Sequence, residues 1–333
     1  MNQSLSSARF PIGIRMFNRP EYTERFLVSL LNQTLEIEQS RVICFIDGYA
    51  KSSDYFQKIP DRTQAVADLV AKYLPGAKII QSESNQGLAL ALFELQNFVY
   101  QMDDSDWGIF LEDDLVLDPS YLQVLEHMIG LANQTDRVVK VAACQVHMGY
   151  LAQPPDENRK HFFLGQGTQA FAESRDFFQM RFEITSSYIN SLSGAAYRHK
   201  NREKVFANLA QHGIFNVLGN NDGVLDQLIP YFKKLHVVAG SNLIDDIGVG
   251  GETSFRYPRI AMPNEKFDNP LDTTLSELQE ALPHLDSELQ SIQKKYFADL
   301  WQVYRRADSI THTTRFITGK LIGKIRSSLG LSR

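Results

Sequence analysis

The chain has 333 residues, of which 43% are hydrophobic and 22% are charged, the composition of an ordinary soluble globular protein. Its formal net charge of −5 argues against general nucleic-acid binding, because that function requires a strong basic excess. The N-terminus lacks the apolar core of a signal peptide, and no apolar run approaches the ~20 residues that span a bilayer. The sequence therefore predicts a cytoplasmic protein.

Strand and helix signals alternate through the first half of the chain. Short apolar runs that end at polar residues indicate strands, and apolar residues at intervals of three and four indicate helices. The predicted elements are strands at residues 10–17, 41–46, 77–81, 107–111 and 138–144, alternating with helices at residues 20–32, 63–73, 86–101 and 119–131. This order predicts an α/β fold with a Rossmann-type, mostly parallel sheet flanked by helices.

Beyond residue 150 the alternation is lost. Residues 161–189 are rich in Phe and Gly without a clear period, and residues 258–272 hold three prolines and are predicted to be a linker. Further helices are predicted at residues 201–211, 222–233 and 273–307, with a strand at residues 235–239. The predicted organisation is a main domain at residues 9–257, with halves at 9–145 and 146–257, followed by a linker and helical extension at residues 258–310.

Residues 311–333 form a basic tail that contains no acidic residue. Its basic members are interleaved with apolar residues and are Arg315, Lys320, Lys324, Arg326 and Arg333. A basic amphipathic segment can lie on an anionic membrane surface, here the inner face of the membrane. The alternatives are a helix packed on the body with a solvated basic face and a partly disordered terminus.

The cysteines and the isolated histidines do not predict a metal site. Cys44 and Cys144 lie inside apolar runs, so they are predicted to be buried free thiols. No cysteine–histidine spacing typical of zinc is present. His147, His161 and His236 stand alone, and a lone histidine is more often structural than a ligand.

Three consecutive acids, Glu112, Asp113 and Asp114, follow the fourth predicted strand. Chain direction places them at the carboxyl end of an interior strand, where open α/β sheets have their ligand crevice. Clustered carboxylates repel one another unless a cation or strong hydrogen-bond donors lie close. The alternative is an acidic loop that caps the next helix, but the cap at Asp118-Pro119 lies four residues downstream. The triplet therefore predicts a metal or nucleotide site.

The ends of the other predicted strands bring further polar groups to the same edge of a parallel sheet. Arg15, Asn18 and Arg19 follow the first strand, Asp47 follows the second, and Asn85 and Gly87 follow the third. They provide cations for phosphates, a carboxylate and amides for a base or ribose, and a tight turn, which together suit a nucleoside diphosphate. Neither a G-x-G-x-x-G motif nor a P-loop is present, which disfavours a dinucleotide-binding protein and a P-loop NTPase.

Together these segments resemble a GT-A-fold glycosyltransferase of the nucleotide-diphospho-sugar transferase superfamily. The resemblance rests on Arg15–Pro20, Asp47-Gly48, Asn85–Gly87 and the triplet, which matches the acidic DxD site of the superfamily. The Glu-Asp-Asp form, followed by Leu-Val-Leu-Asp-Pro, is similar to the N-acetylglucosaminyltransferase I family. The resemblance covers residues 9–145 and extends loosely to residue 256.

The resemblance implies a metal-dependent enzyme that transfers a sugar from a nucleotide-diphosphate sugar to a hydroxyl acceptor, in bacterial polysaccharide or glycoconjugate synthesis. By resemblance, Asp114 contacts a Mn²⁺ or Mg²⁺ ion that bridges the donor phosphates. Glu112 and Asp113 then contact ribose or sugar, or bind through water, and Asp47 contacts the base or ribose. The acceptor would be a glycan or a lipid-linked molecule. Arg15 or Arg19 would add charge-assisted hydrogen bonds to the diphosphate, unless each forms only a surface salt bridge.

An inverting transfer also requires a general base for the acceptor hydroxyl. Related bacterial transferases carry an aspartate at a helix start near Asp222, which is preferred, while Asp226 could equally be the base. Asp222 could instead be only a helix N-cap. By resemblance, residues 245–254 form a glycine-rich lid or acceptor-side loop, the alternative being a plain turn. Residues 191–197 resemble the acceptor-side segment but lack its tryptophan.

Two other functions stay open on the sequence. A sugar-phosphate nucleotidyltransferase shares the superfamily architecture, but it needs a glycine-rich loop where this chain has Arg-Met-Phe-Asn-Arg-Pro after the first strand. A binding protein that kept the fold and lost turnover is the alternative that is not an enzyme, and the intact triplet argues against it.

Overall fold

A computed structural model describes residues 8–52, 58–143, 162–165, 169–192, 201–214, 221–239, 243–248 and 270–307. The strands in these ranges are β1 (Ile12–Met16), β2 (Val42–Ile46), β3 (Lys78–Gln81), β4 (Trp107–Glu112), β5 (Leu115–Leu117), β6 (Val138–Ala142), β7 (Phe162–Leu164), β8 (Ala170–Ser174), β9 (Leu235–Ala239) and β10 (Ile244–Asp246). The helices are α1 (Pro20–Leu31), α2 (Thr63–Tyr73), α3 (Gly87–Met102), α4 (Tyr121–Ala132), α5 (Arg175–Leu192), α6 (Arg202–Gln211), α7 (Asn221–Tyr231) and α8 (Leu275–Ala307).

Eight of these strands form one sheet, in the order β3-β2-β1-β4-β8-β6-β9-β7. The strands β3, β2, β1 and β4 are parallel to their neighbours within this group. Every residue of β1 and β2 is buried, which is typical of strands that helices cover on both faces. The predicted GT-A-like α/β fold, a Rossmann-type sheet flanked by helices, is therefore confirmed.

The other half of the sheet is mixed. β8 lies antiparallel between β4 and β6, and β7 lies antiparallel to β9 at the edge. The sequence signal for β8 is weak because the buried Glu173 interrupts a short apolar run. Glu173 can be buried there because Arg181 of α5 pairs with it at 2.5 Å.

Helix α3 covers the parallel half of the sheet, and α1 packs on α2 and β5. α1 begins at Pro20, whose fixed φ suits the first helical position, and it buries Phe26, Leu27 and Leu30 on one face. α3 packs on β1 and β2 with a largely apolar sequence that includes Leu95. α3 therefore holds the parallel strands in place, and α1 holds β5, the strand that follows the acid triplet.

The predicted C-terminal helical extension is present as α8, a single helix of 33 residues. A capping box precedes it: the Thr274 amide donates to Glu277 Oε2 at 2.8 Å, and the Glu277 amide donates to Thr274 Oγ1 at 3.3 Å. Leu278, Ala281 and Leu285 are buried in the main hydrophobic core. The first turns of α8 thus pack on the body of the protein.

Across the described ranges, no helix is both long and apolar enough to cross a membrane. The basic tail at residues 311–333 and the predicted linker up to residue 269 lie outside these ranges. The domain boundaries remain predictions.

Candidate nucleotide-sugar site at the ends of β1, β2 and β4

The carboxyl ends of β1, β2 and β4 meet at one edge of the sheet. β1 lies between the other two, with Met16 level with Ile46 of β2 and Arg15 level with Glu112 of β4. Parallel strands that lie side by side present their carboxyl ends together, so the loops after them line one crevice. The convergence that the sequence predicted for these loops is confirmed.

Arg15 and Glu112 form an ion pair between neighbouring strands. One terminal nitrogen of Arg15 donates to Glu112 Oε1, and the other donates to the carbonyl oxygen of Leu88 at 2.8 Å. The two side chains are only 8% and 13% exposed. Because Leu88 lies in the first turn of α3, the pair joins the triplet to the start of that helix.

Asp113 is fully buried, and its carboxylate is bonded from three directions. Its Oδ2 accepts hydrogen bonds from the Phe17 amide at 3.2 Å and from Thr23 Oγ1 at 2.9 Å. Its Oδ1 accepts one from Arg19. Burial and the charge of Asp114 raise the pKa of Asp113, and Arg19 and the two other donors act against that rise. The predicted contact of this carboxylate with a donor molecule would have to compete with these groups.

Asp114 is held more loosely at its carboxylate. Arg19 donates to its Oδ2 at 2.6 Å, while its Oδ1 is buried and has no hydrogen-bond partner among the described residues. Its carbonyl oxygen accepts a hydrogen bond from the Ile247 amide at 2.9 Å. β10 pairs antiparallel with β5 and so places Gly248 directly over the carboxylate, where a Cβ would lie 2.2 Å from Oδ2.

The charges of this cluster do not cancel. Among the described residues, the three carboxylates and the two guanidinium groups of Arg15 and Arg19 leave one net negative charge. Burial would lower the pKa of Arg19, but Asp113, Asp114 and Glu112 together raise it above its ordinary value. Arg19 therefore stays charged, and the site has a spare negative charge that a cation can neutralise.

Asp114 has the features of a cation ligand. In the described part of the chain, no group of three or more His, Cys, Asp or Glu side chains could hold a metal ion. Mg²⁺ and Mn²⁺ favour carboxylate oxygens, and Mg²⁺ at nucleotide sites commonly has only one or two protein carboxylates with phosphates and water as its other ligands. The orphaned Oδ1 of Asp114 fits such a minimal site.

Asp47, at the end of β2, caps the start of α3. Its Oδ1 accepts from the amides of Gly48 and Gln86, and its Oδ2 accepts from the Gly87 amide and from Asn85 Nδ2, at 2.7–3.1 Å. Burial raises the pKa of Asp47 to about 6, although these amides act in the opposite direction. A carboxylate offers roughly four acceptor positions, so a direct contact with a nucleotide would replace one of these bonds.

Two glycines shape the loops around Asp47, and one asparagine holds the loop after β1. Gly87 has a φ of +76°, which favours glycine, and a Cβ at Gly48 would lie 2.5 Å from the backbone of Ser84. Asn18, after β1, is 1% exposed and donates to the carbonyl oxygen of Pro60 at 2.7 Å while accepting from the Arg62 amide. Asn18 thus fixes the segment before α2 to the loop after β1.

The candidate bases lie on α7. Asp222 is in the first turn of this helix, and its side chain lies outside the described part of the structure. Asp226, one turn further on, is half-buried. Of the predicted lid, residues 245–248 are described, and the rest lies outside, as do residues 193–197 of the acceptor-side segment.

One of the two cysteines and one of the three histidines considered in the sequence lie within the described ranges. Cys44 is a buried free thiol of β2, as predicted, and burial raises its pKa. His236 is buried in β9, where burial and the neighbouring Lys140 lower its pKa. Cys144, His147 and His161 lie outside the described ranges.

Two site residues escaped the sequence reasoning. Thr23 was not singled out, although it lies four residues after Arg19 and hence one helical turn further along α1. Gly248 was predicted only as one member of a glycine-rich loop. Its place over Asp114 depends on the pairing of β10 with β5, for which the sequence has no local signal.

A search of curated proteins found no sequence match. Among solved structures, the chain is similar to S. aureus TarS 1-349, with 12% identity and a TM-score of 0.37 over 71% of this chain and 59% of that one. The complex of TarS 1-349 with UDP gives the same values. The chain is also similar to the mannose-1-phosphate geranyltransferase from Thermus thermophilus, with 11% identity and a TM-score of 0.38 over 72% of this chain and 77% of that one. The chain therefore spans less than two thirds of the TarS structure.

The family model of Glycosyl transferase family 2 matches residues 12–206. The match begins at the first residue of β1 and includes the acid triplet and the loops after β1, β2 and β3. It covers more than half of the chain. The chain belongs to Glycosyl transferase family 2.

Proposed function

We propose that this protein is a metal-dependent glycosyltransferase that transfers a sugar from a nucleotide-diphosphate sugar to a hydroxyl acceptor. Asp114 carries the proposal, because its Oδ1 is buried without a hydrogen-bond partner in the described structure and lies in a cluster of net negative charge. A buried carboxylate oxygen without a donor is unfavourable unless a cation reaches it. A divalent ion carried by a diphosphate would satisfy this oxygen.

The donor would lie against the triplet and its arginines. Asp114 would hold Mn²⁺ or Mg²⁺, which when bound offsets the negative charge that develops on the leaving diphosphate. Arg15 and Arg19 would orient the diphosphate by charge-assisted hydrogen bonds. Glu112, beside Arg15, would accept a hydrogen bond from a ribose or sugar hydroxyl.

We assign the base and ribose of the donor to the loops after β2 and β3. Asp47 and Asn85 bond to each other and set the shape of this corner, and Gly87 gives it the turn that opens α3. Asn18 supports the same edge through its bonds to residues 60–62. Asp47 would contact the base or ribose by exchanging one of its amide bonds for a donor group on the nucleotide.

The acceptor would enter from the side of α7. Asp222, or alternatively Asp226, would take the proton from the acceptor hydroxyl as it attacks the anomeric carbon. We further propose a cytoplasmic enzyme of bacterial polysaccharide or glycoconjugate synthesis. Its acceptor would be a glycan or a lipid-linked molecule, which the basic tail at residues 311–333 would approach at the membrane surface.

A thermal-shift series with nucleoside diphosphates, each with and without Mn²⁺, tests the donor class. A ligand at 100 times its Kd stabilises the folded state by about 2.7 kcal/mol, so the preferred base and the metal requirement appear in one assay. Asp114→Asn keeps the shape of the side chain and should lose the metal-dependent part of the shift. Asp118→Asn, an exposed acid just downstream, is the matched control and should keep it.

The proposal is wrong if no nucleoside diphosphate with Mn²⁺ stabilises the wild-type protein, or if Asp114→Asn leaves the metal-dependent shift unchanged. The products then separate the two enzyme classes. Glycosyl transfer or donor hydrolysis releases a nucleoside diphosphate from the sugar nucleotide, whereas a nucleotidyltransferase forms or consumes pyrophosphate.

A further inference from the structure

Arg19 bonds to both aspartates of the triplet through different nitrogens. One terminal nitrogen donates to Asp113 Oδ1, and the other lies 2.6 Å from Asp114 Oδ2. The Arg19 side chain is only 14% exposed, and its guanidinium lies 5.9 Å from the centre of the Tyr22 ring. The guanidinium therefore occupies space beside Asp114 that a metal ion and its ligands would also need.

The two aspartates differ in what else holds their carboxylates. Asp113 also accepts hydrogen bonds from the Phe17 amide and Thr23, and none of its surface is exposed. Asp114 receives Arg19 on one oxygen, and the other has no partner in the described ranges. If Arg19 left Asp113, a fully buried charge would lose its ion pair, which is strongly unfavourable. If Arg19 left Asp114, an incoming cation could take its place.

We propose that Arg19 is a resident counter-ion that the divalent cation of the donor displaces from Asp114, while Asp113 retains the guanidinium beside the diphosphate. This inference rests on the function proposed above. It adds that binding of the donor controls binding of the metal ion at Asp114. Asp113 is then a positioning residue, which touches no donor atom and acts by holding Arg19.

The exchange couples the metal to the donor. A metal ion that arrives alone at Oδ1 shares one carboxylate with the Arg19 guanidinium on Oδ2, so repulsion between the two cations drives Arg19 off Asp114 and leaves that guanidinium nitrogen without an anionic partner. A metal ion that arrives with a diphosphate supplies the displaced nitrogen with a phosphate oxygen. The donor-free protein should therefore bind metal weakly, and donor and metal should each strengthen the binding of the other by the same factor.

Mn²⁺ binding to the donor-free protein tests the exchange, measured by electron paramagnetic resonance on the full chain. Arg19→Gln removes the competitor and should tighten the binding of Mn²⁺ alone by about tenfold to a hundredfold. Turnover of the sugar nucleotide at saturating Mn²⁺ should fall at the same time by at least about tenfold, because the diphosphate loses a cationic partner. A merely structural role of Arg19 would weaken both.

Arg15→Gln is the matched control, because it removes the same charge from the same acid cluster but leaves Arg19 on Asp114. General electrostatics act in both variants, so Arg15→Gln should tighten the binding of Mn²⁺ alone clearly less than Arg19→Gln does, because Arg15 does not occupy Asp114. If Arg19→Gln folds poorly by circular dichroism, Arg19→Lys keeps a positive charge near Asp113 but cannot span both carboxylates with a planar fork. It should also bind Mn²⁺ alone more tightly than the wild type.

The inference is wrong if the Arg19 variants bind Mn²⁺ alone no more tightly than the wild type does. It is also wrong if Arg15→Gln gains as much Mn²⁺ affinity as Arg19→Gln. Those outcomes leave the proposed function in place as long as the wild-type protein binds a nucleoside diphosphate together with Mn²⁺. A wild-type protein that binds no nucleoside diphosphate contradicts the proposed function itself, and the exchange with it.

Discussion

Two buried arginine–carboxylate clusters in this protein differ in how their charges balance. In the core, Arg181 and Glu173 pair at 2.5 Å, and Gln96 bonds to both of them. One arginine there pairs with one carboxylate, so the charges of this pair cancel. At the sheet edge, Arg15 and Arg19 face the three carboxylates of the triplet, and one negative charge remains.

The difference separates a structural ion pair from a candidate ligand site. The core cluster links β8, α3 and α5, all of which are packed elements, and it needs nothing from outside. The edge cluster lies where loops meet, keeps an orphaned carboxylate oxygen on Asp114, and is covered by a glycine. Spare negative charge where loops meet is what the proposed cation site requires, whereas a balanced ion pair within packed elements requires no cation.

Arg181→Met should give the largest loss of stability and so tests the core side of the comparison. It leaves Glu173 buried without its cation, and breaking a buried pair in this way costs about 3–5 kcal/mol of the free energy of unfolding. Urea denaturation measures the loss. Mn²⁺-dependent nucleotide binding by the folded fraction should be unchanged, because Arg181 does not bond to any residue of the triplet among its described contacts.

A triple variant provides the control for Arg181→Met. Arg181→Met combined with Glu173→Leu and Gln96→Leu removes the charge that the single substitution strands. Because apolar residues of similar volume commonly replace a buried ion pair without loss, most of the stability should return. A loss below about 1 kcal/mol in the single variant would instead mean that water reaches Glu173, and the core cluster would not be the closed one described above.

Asp47 is a third kind of buried carboxylate. It lies in the candidate site, and amide groups at the start of α3, rather than an arginine, bond to it. Its pKa in the folded protein is about 6, above the ordinary value of 3.8, so the folded state binds the proton more tightly than the unfolded state. The resulting stability is present at low pH and is lost as the pH rises from about 4 to about 6. With 1.36 kcal/mol per pKa unit, the loss is about 2–3 kcal/mol.

Asp47→Asn cannot ionise and should lack this slope. The difference in unfolding free energy between the wild type and Asp47→Asn, measured in urea from about pH 4 to about pH 7.5, should shift against the wild type as the pH rises. Other titrating groups are common to both proteins and cancel in the difference. A difference that is constant with pH would show that the amides of α3 fully offset the burial of Asp47.

The sequence predicts the geometry of the candidate site where strand direction sets it. Apolar runs identify β1, β2 and β4, and parallel strands bring Arg15 level with Glu112 without any knowledge of side-chain contacts. The parts that the sequence could not predict depend on competition between groups. The sequence allows either arginine to pair with any of the three acids. In the structure, Arg19 bonds to Asp113 and Asp114, and Arg15 pairs with Glu112.

The same limit applies to the second half of the fold. β8 has no alternating pattern, and its place between β4 and β6 depends on burying Glu173 with Arg181. The cover over Asp114 depends on β10 reaching β5, which lies far away in the chain. Such long-range pairings leave little trace in local sequence, because each of these two strands carries only three residues of weak signal.

Gly248→Ala should have the smallest effect on stability and the most local effect on the site. The new Cβ would lie 2.2 Å from Asp114 Oδ2, so either the loop after β10 or the carboxylate has to move, at a cost of about 1–3 kcal/mol for a buried overlap. Gly130→Ala, in the last turn of α4 with nothing within 4 Å of an added Cβ, is the matched control and should stabilise by up to about 1 kcal/mol. Gly248→Ala should also lower turnover by more than about tenfold, since either movement displaces the cover over Asp114. Equal turnover in the two alanine variants would show that Gly248 is a passive turn, and that the edge cluster is open without it.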